Sequence, residues 1–208
     1  MFQTIPKMST TKSVNMKIII IGSIDVGKTA LLDRYVNDRF IADYCNTLGV
    51  NLLTKQITVE NTSVKLQIWD TGGQERFKAL VSTFYKGSDG CVLTFDVTNR
   101  DSFYTLEGWR NAVLNSLKTE QKDFPFTVLG NKIDLPYREI TSGEAEAWCE
   151  ARNISYYEVS AKEGTHVEQA FENIARLTLA QISQNKDMYL MNSISLEDTN
   201  VRKRRKCC

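Results

Sequence analysis

Gly22-Ser23-Ile24-Asp25-Val26-Gly27-Lys28-Thr29 fits the pattern GxxxxGK[ST]. It directly follows the short β-branched run Met16-Lys17-Ile18-Ile19-Ile20-Ile21. It directly precedes a helical stripe of Leu31, Leu32, Tyr35 and Val36. A strand, a glycine loop and a helix in that order form a cradle for polyphosphate, because backbone N–H groups and the helix N-terminus face the anion. Lys28 is placed to reach the β/γ-phosphates and the Thr29 hydroxyl to ligate Mg²⁺. Ser23, Ile24, Asp25, Val26, Gly27 and Ala30 fall in the same candidate nucleotide site. At average glycine usage such a match arises by chance in roughly one chain of this length per hundred, before the strand–helix context is counted.

Two later runs share the buried-strand character of the first: Cys91 to Val97 and Phe126 to Gly130. Helical patterns lie between and after them. These cover Ala30–Asn37, Ser102–Leu117, about Ser142–Ala151, and Val167 to about Ile182. Val50–Trp69 instead alternates around a polar Glu60-Asn61-Thr62-Ser63 turn and reads as a β-hairpin. Buried strands alternating with helices imply an α/β fold, a mostly parallel sheet covered on both faces. The hairpin supplies its one antiparallel edge.

Asn131-Lys132-Ile133-Asp134 closes the third apolar run, at the carboxyl end of a strand where ligands bind in open α/β sheets. Asp134 can accept hydrogen bonds from N1–H and the exocyclic amine of guanine. Adenine offers no such donor pair and would leave a buried carboxylate unpaired. Read alone, the segment is as well explained by a strand-end turn. Ser160-Ala161-Lys162 follows another short strand, Tyr156–Val159, and is placed to close over the base, with the Ala161 N–H donating to guanine O6. Asp70, Gly73 and Gln74 lie in Trp69-Asp70-Thr71-Gly72-Gly73-Gln74-Glu75, at the hairpin's end. Asp70 is placed to hold Mg²⁺ through water, Gly73 to offer an N–H to the γ-phosphate, and Gln74 to orient the attacking water. Thr47 is placed to complete the Mg²⁺ shell and to sense the γ-phosphate. Loss of that phosphate would release both loops.

Together these segments, from about Val14 to Gln184, resemble the Ras-like small GTPases and within them the Rab family. Lys65 to Phe77 and Phe84-Tyr85-Lys86-Gly87 look Rab-specific. Phe95-Asp96-Val97-Thr98, Ala147-Trp148-Cys149 and Val167 to Phe171 look most like the Rab-seven branch. The resemblance implies a P-loop GTPase fold, a six-stranded mostly parallel sheet with one antiparallel edge and helices on both faces. It implies a GTP/GDP switch that slowly hydrolyses GTP and recruits effectors for vesicle trafficking. The expected place is the cytoplasmic face of late endosomal, lysosomal or Golgi membranes, with a cytosolic pool. Implied partners are an exchange factor, a GTPase-activating protein, a GDP-dissociation inhibitor and a Rab escort protein. By the family pattern Phe40 stacks on guanine, and Leu52, Trp69 and Phe84 form an apolar effector triad. A core role competes for Trp69 and Phe84 taken singly.

The chain departs from the family at four positions. Ile24 and Asp25 stand where a small residue and glycine are usual. Asp25 would take a positive-φ backbone at some cost and would bring negative charge near the phosphates. Ile24 would crowd Gln74 and any partner's arginine. Weaker nucleotide binding, faster exchange and slow hydrolysis are expected. Gly72 replaces the usual Ala, which is expected to loosen the second switch. Leu52 replaces the usual aromatic, which is expected to alter effector choice.

Charge is unevenly distributed. Arg202, Lys203, Arg204, Arg205 and Lys206 hold five of the 26 Lys and Arg, leaving 21 against 25 acids elsewhere. An acidic body argues against a nucleic-acid binder. The basic tail points to an anionic membrane or partner; a nuclear localisation signal is the competing reading. No apolar run reaches membrane-spanning length, and residues 1–13 lack the apolar core of a secretion signal. Five cysteines, an odd count, and a single histidine (His166) suit a reduced compartment and exclude a zinc site built on two histidines. The terminal Cys207-Cys208 is not a CaaX ending. It resembles the double-cysteine Rab terminus, which implies geranylgeranylation of both, a stable two-chain anchor. The expected organisation is a flexible extension (1–13), a GTPase domain (14–183) and a disordered tail (184–208). A nucleotide-binding scaffold with little turnover is the alternative. An ATP-using kinase conflicts with Asp134.

Overall fold

The computed structural model describes residues 13–42, 47, 49–73, 78–117 and 123–201. Six strands form one sheet: β1 (Val14–Ile21), β2 (Val50–Val59), β3 (Thr62–Thr71), β4 (Gly90–Asp96), β5 (Phe126–Asn131) and β6 (Ser155–Glu158). Their order is β2-β3-β1-β4-β5-β6, and every pairing is parallel except β2 with β3. The hairpin is therefore the antiparallel edge, turning at Glu60 and Asn61, both at positive φ.

The helices are α1 (Lys28–Asn37), α2 (Lys78–Tyr85), α3 (Arg100–Tyr104), α4 (Leu106–Leu117), α5 (Ser142–Glu150) and α6 (Val167–Val201). The side-chain alternation of β1 divides two cores. Ile18 and Ile20 pack with Leu31, Leu32 and Tyr35 of α1 and with Phe171 and Ile174 of α6. Ile19 and Ile21 pack on the other face with Phe103, Leu106, Trp109 and Cys149. Stacking of Tyr35 on Phe171, with ring centroids 4.3 Å apart, fixes α1 against α6.

Three elements differ from the sequence reading. The helix expected over Ser102–Leu117 starts at Arg100 and breaks at Thr105, while its apolar stripe continues across the break. Asn99 caps the first piece by accepting from the Ser102 N–H at 3.0 Å. The helix α2 was not foreseen. The last helix runs to Val201 rather than to about Ile182, where a coil tail was expected to begin. No glycine or proline follows Gly164, so nothing in the backbone stops the helix once apolar periodicity fades. Among the described residues no helix is long and apolar enough to cross a membrane.

Candidate functional site

The carboxyl ends of β1, β3, β4 and β5 face the loops that follow them, and the predicted residues collect there. Two adjoining cavities share Gly27, Ala30, Phe40, Ala42 and Lys132 in their walls. One, of about 360 Å³, is also lined by Ile24, Asp25, Lys28, Thr29, Thr47 and Gly73. The other, of about 300 Å³, is lined by Asn131, Asp134, Ala161 and Lys162 as well. The glycine loop at 22–29 and the segment 131–134, separated by about a hundred residues of chain, thus meet in one groove.

At the floor of the first cavity three oxygens converge. Thr29 Oγ1 donates to Asp70 Oδ2 at 2.5 Å. Its single proton being used, it accepts from Thr47 Oγ1 at 2.8 Å. Asp70 is fully buried, and its Oδ1 has no hydrogen-bond partner. Burial pushes the Asp70 carboxyl up to about 6, against the Thr29 hydroxyl and Lys28, which pull it down. Hard oxygen donors of this kind, with one orphaned carboxylate oxygen, fit Mg²⁺. Among the described residues no group of three or more His, Cys, Asp or Glu side chains could hold a metal ion, so a cation here would need oxygens from outside the protein to complete its shell.

Lys28 is almost fully buried, its Nζ donating to Gly22 O at 3.0 Å and Ser23 O at 2.8 Å. Burial pulls its pKa down to about 8, opposed by Asp70 and Asp25. Asp25 has φ 60°, the left-handed conformation expected of its position. Ile24 is exposed, on the wall of the cavity. A Cβ on Gly73 would lie 2.4 Å from Ser23 O, so glycine alone lets this segment lie on the phosphate loop. Gly72 is constrained less tightly: a Cβ there would meet Thr47 O at 2.8 Å, while its N–H donates to Gly49 O at 2.9 Å. The glycine at 72 thus accompanies a close approach of the Thr47 and Gly73 segments.

The base end is braced from behind. Asp134 Oδ1 accepts from Ser160 Oγ at 2.7 Å, and Ser160 Oγ accepts from the Glu163 N–H at 3.0 Å. Asn131 lines this cavity and also braces it: its Nδ2 donates to Val26 O at 2.8 Å and its Oδ1 accepts from the Ala161 N–H at 3.2 Å. The Ala161 N–H, expected to face guanine O6, thus has a protein partner. Lys132 holds φ 69° and extends its Nζ to Asp96 Oδ2 at 2.7 Å, leaving its stem against the cavity. Ser23 turns its hydroxyl to Thr105 Oγ1 at 2.9 Å, and Val26 is buried in the loop.

Leu52, Trp69 and Phe84, expected to form an effector triad, lie together and line neither cavity. The β2–β3 register sets Leu52 opposite Trp69, and the Trp69 and Phe84 rings lie 5.7 Å apart. Leu52 is nearly half exposed, at 47%. Lys17 Nζ sits 4.8 Å from the Trp69 ring centroid. Gln74, Cys207 and Cys208 lie outside the described residues. Sequence reasoning missed Asp96, which anchors Lys132, and Arg34, which donates to Ala161 O and Lys162 O. Neither stands in a recognisable spacing.

Comparison with known proteins agrees with this geometry. Residues 17–180 match the Ras family. The chain is 51% identical over 201 residues to the Ras-related protein Rab-7b of Bos taurus and 47% identical to that of Homo sapiens. In both cases 97% of this chain and all of the relative are covered. It is 48% identical over 174 residues to the Ras-related protein Rab7 of Drosophila melanogaster, covering 83% of this chain and 84% of the relative. The chain belongs to the Ras family of small GTPases and, within it, to the Rab-7-like group.

Proposed function

We propose that this GTPase is a Mg²⁺-dependent membrane-trafficking switch whose two phosphate-sensing segments, around Thr47 and Gly73, are held by GTP and released after hydrolysis. GTP hydrolysis itself follows from membership of the Rab family, and a scaffold without turnover is not favoured. The observation that carries the reading is the convergence of Thr29, Thr47 and Asp70 on one point beneath the phosphate loop.

The roles assigned are these. Backbone N–H groups of residues 24–30 and Lys28 hold the polyphosphate. Thr29 and Thr47 hydroxyls and Asp70, the last through water, would hold Mg²⁺, and the charge it would supply there is what offsets that of the polyphosphate. Asp134, fixed by Ser160, reads guanine; Phe40 stacks on it, and Ala161 and Lys162 wall it. The Gly73 N–H senses the γ-phosphate and Gln74 orients the attacking water. Ile24 and Asp25 make hydrolysis slow and exchange fast. Leu52, Trp69 and Phe84 receive effectors.

Geranylgeranyl groups on Cys207 and Cys208, with the basic run 202–206, attach the protein to the cytoplasmic face of late endosomes, lysosomes or Golgi membranes. The likeness to Rab-7-type relatives supports this place. Exchange factor, activating protein, dissociation inhibitor and escort protein are the partners assigned. A single-turnover hydrolysis assay tests the reading: wild type is expected to convert bound GTP to GDP, and Gln74→Leu to be at least about tenfold slower. Equal rates would remove Gln74 from the chemistry.

A further inference from the structure

One side chain on α1 joins the 160–162 wall of the base cavity to the end of its own helix. Arg34 Nε donates to Ala161 O at 2.9 Å and Nη2 to Lys162 O at 2.8 Å. Its Nη1 donates to Asp38 Oδ1 at 2.9 Å. Asp38 caps the C-terminal end of α1 with φ 49°, and two residues later Phe40 lines both cavities. Ala161 is thereby gripped at both ends of its residue, by Asn131 at its N–H and by Arg34 at its carbonyl. Asn131 in turn grips Val26 of the phosphate loop. Arg34 lies on the helix whose first turn carries Lys28 and Thr29, so the phosphate end and the base end of the groove share one rigid mount.

We propose that Arg34 is a positioning residue that sets the lifetime of bound guanine nucleotide by tying the 160–162 loop to the end of α1. The proposal rests on the guanine-nucleotide reading above. Release requires the base to leave between the 160–162 loop and Phe40. Opening the loop removes two hydrogen bonds to a charged donor carried by the helix that ends at Asp38. The planar guanidinium meets three acceptors at fixed angles at once. An ammonium, a single point charge, cannot serve both carbonyls and Asp38. The Arg34 side chain is one-fifth exposed, so its two bonds to the loop carbonyls are partly shielded from water, whereas the Asp38 carboxylate is 94% exposed and its pair with Arg34 adds little. The γ-phosphate, Thr47 and the Asp70 site lie at the other end of the groove, so the chemical step is left intact.

The test is release of a fluorescent GDP analogue from the full chain, alongside single-turnover GTP hydrolysis and thermal melting. Wild type must first retain the analogue with Mg²⁺; if it does not, the nucleotide reading fails, independently of Arg34. Given retention, Arg34→Gln is expected to release GDP about tenfold faster and Arg34→Lys about fivefold faster. Hydrolysis of bound GTP is expected to stay within about twofold of wild type in both. Arg34→Lys keeps charge and stem and so reports even if Arg34→Gln folds poorly. Release within twofold of wild type for Arg34→Lys would overturn the proposal. So would release and hydrolysis changing in parallel with a lowered melting temperature.

Discussion

Replacing Asp25 is expected to slow nucleotide release, and the size of the effect follows from where its charge sits. Asp25 lines the phosphate cavity, and its carboxylate acts electrostatically on Lys28. For a carboxylate and a phosphate roughly 8 Å apart, at an effective dielectric of roughly 20–40, the repulsion is about 1–2 kcal/mol. That corresponds to release about 5–30-fold faster than without the charge. The positive φ of 60° is a separate matter. Its cost falls on the folded chain with or without nucleotide, so it largely cancels from the release rate and appears in stability instead. Two variants separate the effects. Asp25→Gly removes charge and strain together, whereas Asp25→Asn removes only the charge. Both are expected to retain a fluorescent GDP analogue about equally, and both longer than wild type. The gap is expected to narrow as salt is raised. Release rates for both variants within twofold of wild type would refute the electrostatic reasoning. Slow release by Asp25→Gly alone would assign the effect to backbone strain.

Two further outcomes follow from the hydrogen bonds and burial of the site. Ser160→Ala removes the donor that fixes Asp134, and guanine affinity by titration calorimetry is expected to fall about tenfold with hydrolysis at saturation unchanged; unchanged affinity would mean that Asp134 needs no support. Asp70 carries a folded-state pKa of about 6 against an ordinary 3.8, so the folded nucleotide-free protein holds this proton more tightly than the unfolded chain. Its stability to urea is expected to fall as pH rises from about 4 to about 6, by at most ~3 kcal/mol, and then to level off. Asp70→Asn, which cannot titrate, is expected to lack that part of the slope; identical slopes would contradict the assignment.

What could be read in the sequence was the part written locally. The phosphate loop, the hairpin and the buried strands each carry their signal within about ten residues: a glycine spacing, an alternation, a β-branched run. The break at Thr105 was hidden because Phe103, Leu106, Trp109 and Val113 keep helical spacing across it, while the chain kinks to cap at Asn99 and to bring Thr105 to Ser23. Extension of α6 beyond Ile182 was hidden for the opposite reason. Apolar periodicity is the signal the reading used, and it fades after Gln181, whereas the backbone there carries no glycine or proline to stop the helix. Within the site, the groups that were legible are those that would touch nucleotide, because chemistry restricts their type. Arg34, Asp96 and the bracing role of Asn131 depend on contacts across thirty or more residues, which no spacing encodes.

The central claim is that this groove holds a guanine nucleotide. Nucleotide released by heat or acid from the purified full chain, separated and quantified by ion-pair chromatography, tests it directly. GDP, with a smaller share of GTP, is the result this account predicts, at a stoichiometry lowered by the charge of Asp25 and raised by Asp25→Asn. Adenine nucleotide in the wild type would contradict the account. So would failure of the purified protein to take up added GDP with Mg²⁺.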